Sequence, residues 1–173
     1  MLTKIDICSM ALLKLGESPI QSLSDDTPSS QLARTLFDSV ADTLISLHPW
    51  RFATRQLELT KNTQDDFLVP TDVLRVLDCP GHIIGNKIKS TPDKINITAL
   101  VRTPVSDYPS YFSSLLATRL AMEFCIPLSG DQTVFRMLVA LYETELQTAK
   151  FIDSSTCNHS GIRDFSLIDS RFQ

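Results

Sequence analysis

The chain has 173 residues, 43% of them hydrophobic and 21% charged, with 16 basic and 20 acidic side chains and a formal net charge of -4. That length supports one real hydrophobic core and not two comfortable ones, and the composition excludes disordered and collagen-like chains. The acidic balance lacks the basic footprint of a dedicated nucleic-acid binder, and no apolar run approaches the ~20 residues that cross a bilayer, so a soluble protein without a membrane partner is expected.

In chain order, Thr3 and Asp6 form a helix start, and Ile5, Cys8, Leu12 and Leu15 recur at helical spacing until Gly16, a left-handed terminator. Residues 17–27 form a loop of turn formers that Ile20 and Leu23 pin to the core. Thr27-Pro28 opens a second helix with proline in its first turn. Its expected buried stripe is Leu32, Leu36, Val40, Leu44 and Leu47, with Arg34, Asp38 and Asp42 facing away and Pro49 as the stop.

From Trp50 to about Arg102 the period changes from 3.6 to 2 and β-branched residues become common. Leu57 and Leu59 alternate with polar neighbours, and Val73 to Leu77 is a second strand. Ile83-Ile84, Gly85-Asn86 and Lys87-Ile88 read as a hairpin with a two-residue turn. Ile95, Ile97, Ala99 and Val101 mark a half-buried strand. Helical spacing returns with Pro109 in a first turn and Phe112, Leu116, Leu120 and Phe124 on one face, ending near Pro127. Asp131 caps a fourth helix with Phe135, Leu138, Tyr142, Leu146 and Ala149 as its buried stripe, paired antiparallel with the third. After Ile152 the pattern dissolves.

These elements predict a mainly α fold, a four-helix antiparallel bundle with a small antiparallel β insertion between helices 2 and 3 and an extended C-terminal arm. The helical domain spans residues 1–153, with the insertion at about 51–102, and the arm is 154–173. Within the arm Ile162, Phe165, Leu167, Ile168 and Phe172 need a surface to bury against, and Arg163 and Arg171 suit acidic groups on a partner. These residues are the candidate docking site for another subunit or a partner protein.

No catalytic, cofactor or metal site is expected. Cys79-Pro-Gly-His82 has the spacing of half a zinc site, which Cys157 and His159 would complete, but proline and glycine already account for it as a turn. A Cys/His/Asp set using Asp164 or Asp169 lacks a supporting context. Carboxylates for glycoside hydrolysis can be drawn from Glu17, Asp25, Asp26, Asp65, Asp66, Glu143 and Glu145, which keeps a cell-wall hydrolase, or a bifunctional protein with both a structural and a hydrolase role, as the alternative function, although most lie in loops or on polar helix faces. No GxGxxG, P-loop or HExxH occurs. The four cysteines, Cys8, Cys79, Cys125 and Cys157, form no CxxC pair, and Lys4 and Asp6 interrupt any opening signal segment, so synthesis in a reducing cytoplasm is expected.

The densest local signal is His48-Pro49-Trp50-Arg51-Phe52-Ala53, in which Pro49 ends a helix and Trp50 and Phe52 form a hydrophobic latch between helix 2 and the sheet. Together with Ala11-Leu12, Leu15-Gly16-Glu17 and Pro19-Ile20, this segment resembles the head-to-tail adaptors of tailed phages and prophages, including short-tailed phage adaptors and the tail tubular protein A group. The likeness continues through Phe67-Leu68-Val69-Pro70-Thr71-Asp72-Val73-Leu74-Arg75, close to the family's stretch of an aromatic residue, Leu-Pro, Asp and Leu-Arg at the positions of Phe67, Val69-Pro70, Asp72 and Leu74-Arg75. It ends with Pro109, Phe112, Leu116-Ala117, Arg119-Leu120-Ala121, Pro127-Leu128, Leu138, Tyr142, Leu146 and Ala149. Val69 departs from the leucine more common before the proline.

The resemblance implies a structural protein made in the bacterial host cytoplasm and carried in the virion at the head-tail junction. It implies a homo-oligomeric ring, typically dodecameric, on the portal protein, which extends the DNA channel and gives tail or nozzle proteins a platform. Double-stranded DNA would pass without specific binding, consistent with an acidic lumen that repels phosphates.

Overall fold

The computed structural model describes residues 2–62 and 65–155. Their order is α1 (Lys4–Leu13), α2 (Pro28–Leu47), β1 (Thr54–Thr60), β2 (Phe67–Leu68), β3 (Val73–Asp78), β4 (His82–Ile84), β5 (Lys87–Lys89), β6 (Lys94–Val101), a 3-10 turn (Val105–Asp107), α3 (Ser110–Leu128) and α4 (Gln132–Ser155). No described helix is long and apolar enough to cross a membrane.

The helix ends follow local chemistry. Thr3 and Asp6 close a capping box, the Thr3 N–H donating to Asp6 at 2.7 Å and the Asp6 N–H to the Thr3 hydroxyl at 3.2 Å. At the other end the N–H groups of Gly16 and Glu17 donate to Leu13 and Leu12, with Gly16 at φ +79° as a left-handed cap requires. Thr27 caps α2 ahead of Pro28, and Asp131 caps α4 through the N–H groups of Thr133 and Val134.

α3 is the central helix. Phe112, Leu115, Leu116, Leu120, Ala121, Phe124 and Cys125 are fully buried, because α1, α2 and α4 pack around it. Such burial on several sides is why its sequence is apolar nearly all round. The helix runs through Pro127 to Leu128, slightly past the expected stop. In α2 the buried face is Ala33, Phe37, Val40, Ala41, Leu44 and Ile45; Leu32 and Leu36 are half-buried and Leu47 is 55% exposed. The expected stripe therefore follows the leucines and misses Ala33, Phe37, Ala41 and Ile45. Asp42, expected to face away, instead receives the Arg102 guanidinium through both carboxylate oxygens.

The expectation of a bundle with a small β insertion is overturned. Six strands among the described residues form two three-stranded antiparallel sheets, ordered β1-β6-β3 and β2-β5-β4, and the fold is α+β. The β segment has its own hydrophobic cluster, Leu59, Phe67, Ile88, Ile95, Ile97 and Ala99, apart from the helical core. The first sheet lies between the two. Its central strand β6 sends Ile95, Ile97 and Ala99 into the β cluster and Leu100 into the helical core.

Register shifts in β3, between Val73 and Arg75 and between Val76 and Asp78, place Leu74 and Leu77 as extra residues. Both pack toward the helices, while Val73 and Val76 face the β cluster. The hairpin over β4 and β5 forms as expected, with Ile84 opposite Lys87 and Gly85 at φ +61°, the pattern of a type II′ turn.

Candidate functional site

The residues that sequence reading singled out between 49 and 75 meet where the helices join the β lobe. α2 ends at His48, whose extended backbone and the following Pro49 turn the chain sharply. The N–H groups of Ala53 and Thr54 donate back to the Trp50 carbonyl, so residues 50–54 make one tight turn before β1. This turn drives Trp50 into the core, where it is fully buried and its indole N–H donates to the Leu44 carbonyl at 2.9 Å. His48 and Phe112 lie edge-on to it at 4.7 and 5.4 Å. Phe52 packs against Phe112 at 4.7 Å and Tyr108 at 5.7 Å, which joins the turn to the start of α3.

A buried carboxyl closes the arrangement. Asp153, 3% exposed in the last turns of α4, accepts the Tyr111 hydroxyl at 2.6 Å and the Arg51 N–H at 3.3 Å, with His48 Nε2 at 3.8 Å. Sequence reading missed it. Its signal was position: Asp153 lies four residues after Ala149, on the same core-facing stripe, where an acidic side chain needs partners. Burial pushes the Tyr111 phenol up, reinforced by its bond to Asp153. Burial also lowers the His48 pKa, against the upward pull of Asp153 and with a smaller downward push from Lys150.

The β side of the junction is held by the second motif. Arg75 donates to the Ser46 carbonyl at 3.1 Å, tying β3 to the last turn of α2. The Asp72 carbonyl accepts the Arg102 N–H at 2.7 Å while its side chain stays exposed, and the Pro70 carbonyl accepts the Val73 N–H at 3.1 Å. A cleft of about 350 Å³ runs beside this segment, lined in part by Pro70, Leu74, Arg75 and Ile83.

Of the other candidates, Glu17 and Glu143 are exposed, and most of the rest are engaged structurally. The Cys79 thiol donates to the Gly81 carbonyl at 3.5 Å and His82 is exposed at the start of β4. Among the described residues no group of three His, Cys, Asp or Glu side chains is placed to hold a metal ion. Asp25 accepts the Ser22 N–H, Asp26 the Gln31 amide, Asp65 pairs with Lys61 and Asp66 with Lys87. Glu145 of α4 meets Lys14, the residue just after α1, at 3.3 Å and accepts the Thr118 hydroxyl of α3. Cys157, His159, Asp164, Asp169 and the docking candidates Ile162, Arg163, Phe165, Leu167, Ile168, Arg171 and Phe172 lie outside the described residues.

Neither a protein-family model nor a curated protein matches the chain. What the geometry offers is a rigid junction in which the turn after α2, the start of α3 and the end of α4 are fastened together.

Proposed function

We propose that the chain is a structural head-to-tail adaptor, a subunit of a ring beneath the portal of a phage or prophage, which extends the DNA channel and receives tail proteins. The observation that supports this reading best is the clasp at Asp153. It fastens the last turns of α4 to the Trp50 turn, two residues before the helix ends at Ser155. The arm therefore leaves the folded domain from a fixed point. An adaptor needs this, because each arm must reach an equivalent site on a ring, and weak contacts add up when tethered copies bind side by side. Two segments of the resemblance, around Trp50 and from Pro70 to Arg75, also fall at this junction.

The test is assembly. The purified chain should sediment as a monomer or small oligomer alone, and should add a ring of density when mixed with portal rings encoded beside it in the same genome. Large closed rings without portal, or no association with portal, would contradict the reading.

A further inference from the structure

In the β lobe, strands β3 and β4 are both edges: among the described residues β3 pairs only with β6 and β4 only with β5. The turn from Cys79 to Gly81 joins the two, and the Ser90 hydroxyl donates to the Pro80 carbonyl at 2.6 Å, which fixes that end. The cleft of about 350 Å³ opens between these edges. It is lined by four consecutive residues of β3, Val73 to Val76, and by Ile83 of β4. Consecutive strand residues point to opposite faces, so a cleft that touches all four runs along the edge of β3 and not over a face. Ile83 is the residue out of place. It stands opposite Ile88, which stands opposite Phe67, so all three share one side of the small sheet. Phe67 and Ile88 are fully buried, yet Ile83 is 49% exposed, because the sheet ends at β4.

We infer that this cleft takes an extended segment of another protein as an added strand beside β4, with apolar side chains at alternate positions and a carboxylate for Arg75. The backbone sets the strand. In a hairpin closed by a two-residue turn, Ile84 and Lys87 next to the turn form a hydrogen-bonded pair, so Ile83 and Ile88 form the non-hydrogen-bonded pair that follows. Ile83 therefore turns its N–H and C=O away from β5, toward the cleft, where a strand can bond to both. The register shifts in β3 break the even spacing of its outward groups, which leaves regular β4 as the template. A partner residue opposite Ile83 would lie on the same side of the sheet and cover it, hence the apolar side chain. Charge sets the rest. Among the described residues lining the cleft only Arg75 is charged; its Nη1 donates to the Ser46 carbonyl, and the residue is exposed, so its other N–H groups suit a carboxylate. A cleft bounded by two edges admits a single chain. A second copy is a poor occupant, because each of its described strands is already held in a sheet.

Peptide selection on the full chain tests the site. A display library of short random peptides is panned against the immobilised protein. Enriched peptides should carry apolar residues at alternate positions together with an aspartate or glutamate. The tightest of them, made synthetically, should slow exchange of the Ile83 amide by about tenfold while the amides of α4 keep their rates. Ile83→Asp, at a half-exposed position, should weaken that peptide by about tenfold with an unchanged melting temperature. Arg75→Glu should move the selection from acidic to basic residues; if loss of the tie to Ser46 unfolds this variant, the two Ile83 measurements decide. No enrichment, enriched peptides that leave the Ile83 amide unprotected, or binding indifferent to Ile83→Asp would overturn the inference. Protection of Ile83 in concentrated protein without peptide would also overturn it, by making a second copy the occupant. None of these measurements involves portal, so their failure leaves the adaptor reading to its own test.

Discussion

Trp50 combines complete burial, an indole hydrogen bond to Leu44 and contact with four rings, those of His48, Phe52, Tyr111 and Phe112. Trp50→Ala should therefore destabilise the protein by about 3–5 kcal/mol, as for other large core truncations, read as a lower midpoint in chemical denaturation. An unchanged midpoint with lost partner binding would make Trp50 an interface anchor instead. His48 gives a pH dependence whose sign is fixed by burial. Its folded-state pKa lies below the unfolded value of about 6.5, so the folded protein binds that proton less readily. The stability gained from neutral His48 is complete above the unfolded value and is lost as pH falls through the folded one. Melting temperature should drop more steeply from about pH 7.5 to about pH 5 in the parent than in His48→Gln; equal slopes would assign the loss to other groups.

At the scale of elements, Gly81 is set by close backbone approach. A Cβ there would lie 2.4 Å from the Lys89 carbonyl oxygen, which belongs to β5 and cannot yield without breaking the lobe. Gly81→Ala should cost about 1–3 kcal/mol, the range for overpacking, whereas exposed His82→Gln should stay within about 0.5 kcal/mol. Thermal melts with and without chelator separate this steric account of the Cys-Pro-Gly-His turn from a metal one, since a chelator effect would revive the latter.

The helices were legible because their caps are local: Thr3 with Asp6, Gly16, Thr27 with Pro28, and Asp131 each act within a few residues. The hairpin was legible from Gly85 for the same reason. β2 escaped because two residues show no period, and the shifts in β3 break the alternation that would have marked its two faces. Strand β6 reads as half-buried, yet Ala99, Leu100 and Val101 are all buried, since hydrophobic clusters pack on both faces of the sheet. The candidate site was legible at Trp50, where a lone Trp follows a helix-stopping Pro, and invisible at Asp153, whose partners are some 40 and 100 residues away.

For the whole molecule, the layering gives a helical body and a β lobe bridged by β1, β6 and β3 and fastened to α2 by Arg75 with Ser46 and Arg102 with Asp42. In the proposed ring such rigidity matters more than any single contact, because an error in subunit shape accumulates around a closed circle.

The division of the apolar side chains into two clusters also sets how the protein should come apart. Residues of β2, β4 and β5 rely on the smaller cluster around Phe67 and Ile88, while β6 is held by both. Native-state amide exchange should accordingly resolve two tiers, with β2, β4 and β5 opening at lower free energy while the helices stay closed. Amides of β6 should exchange with the helices, and a single tier throughout would mean that lobe and body unfold as one.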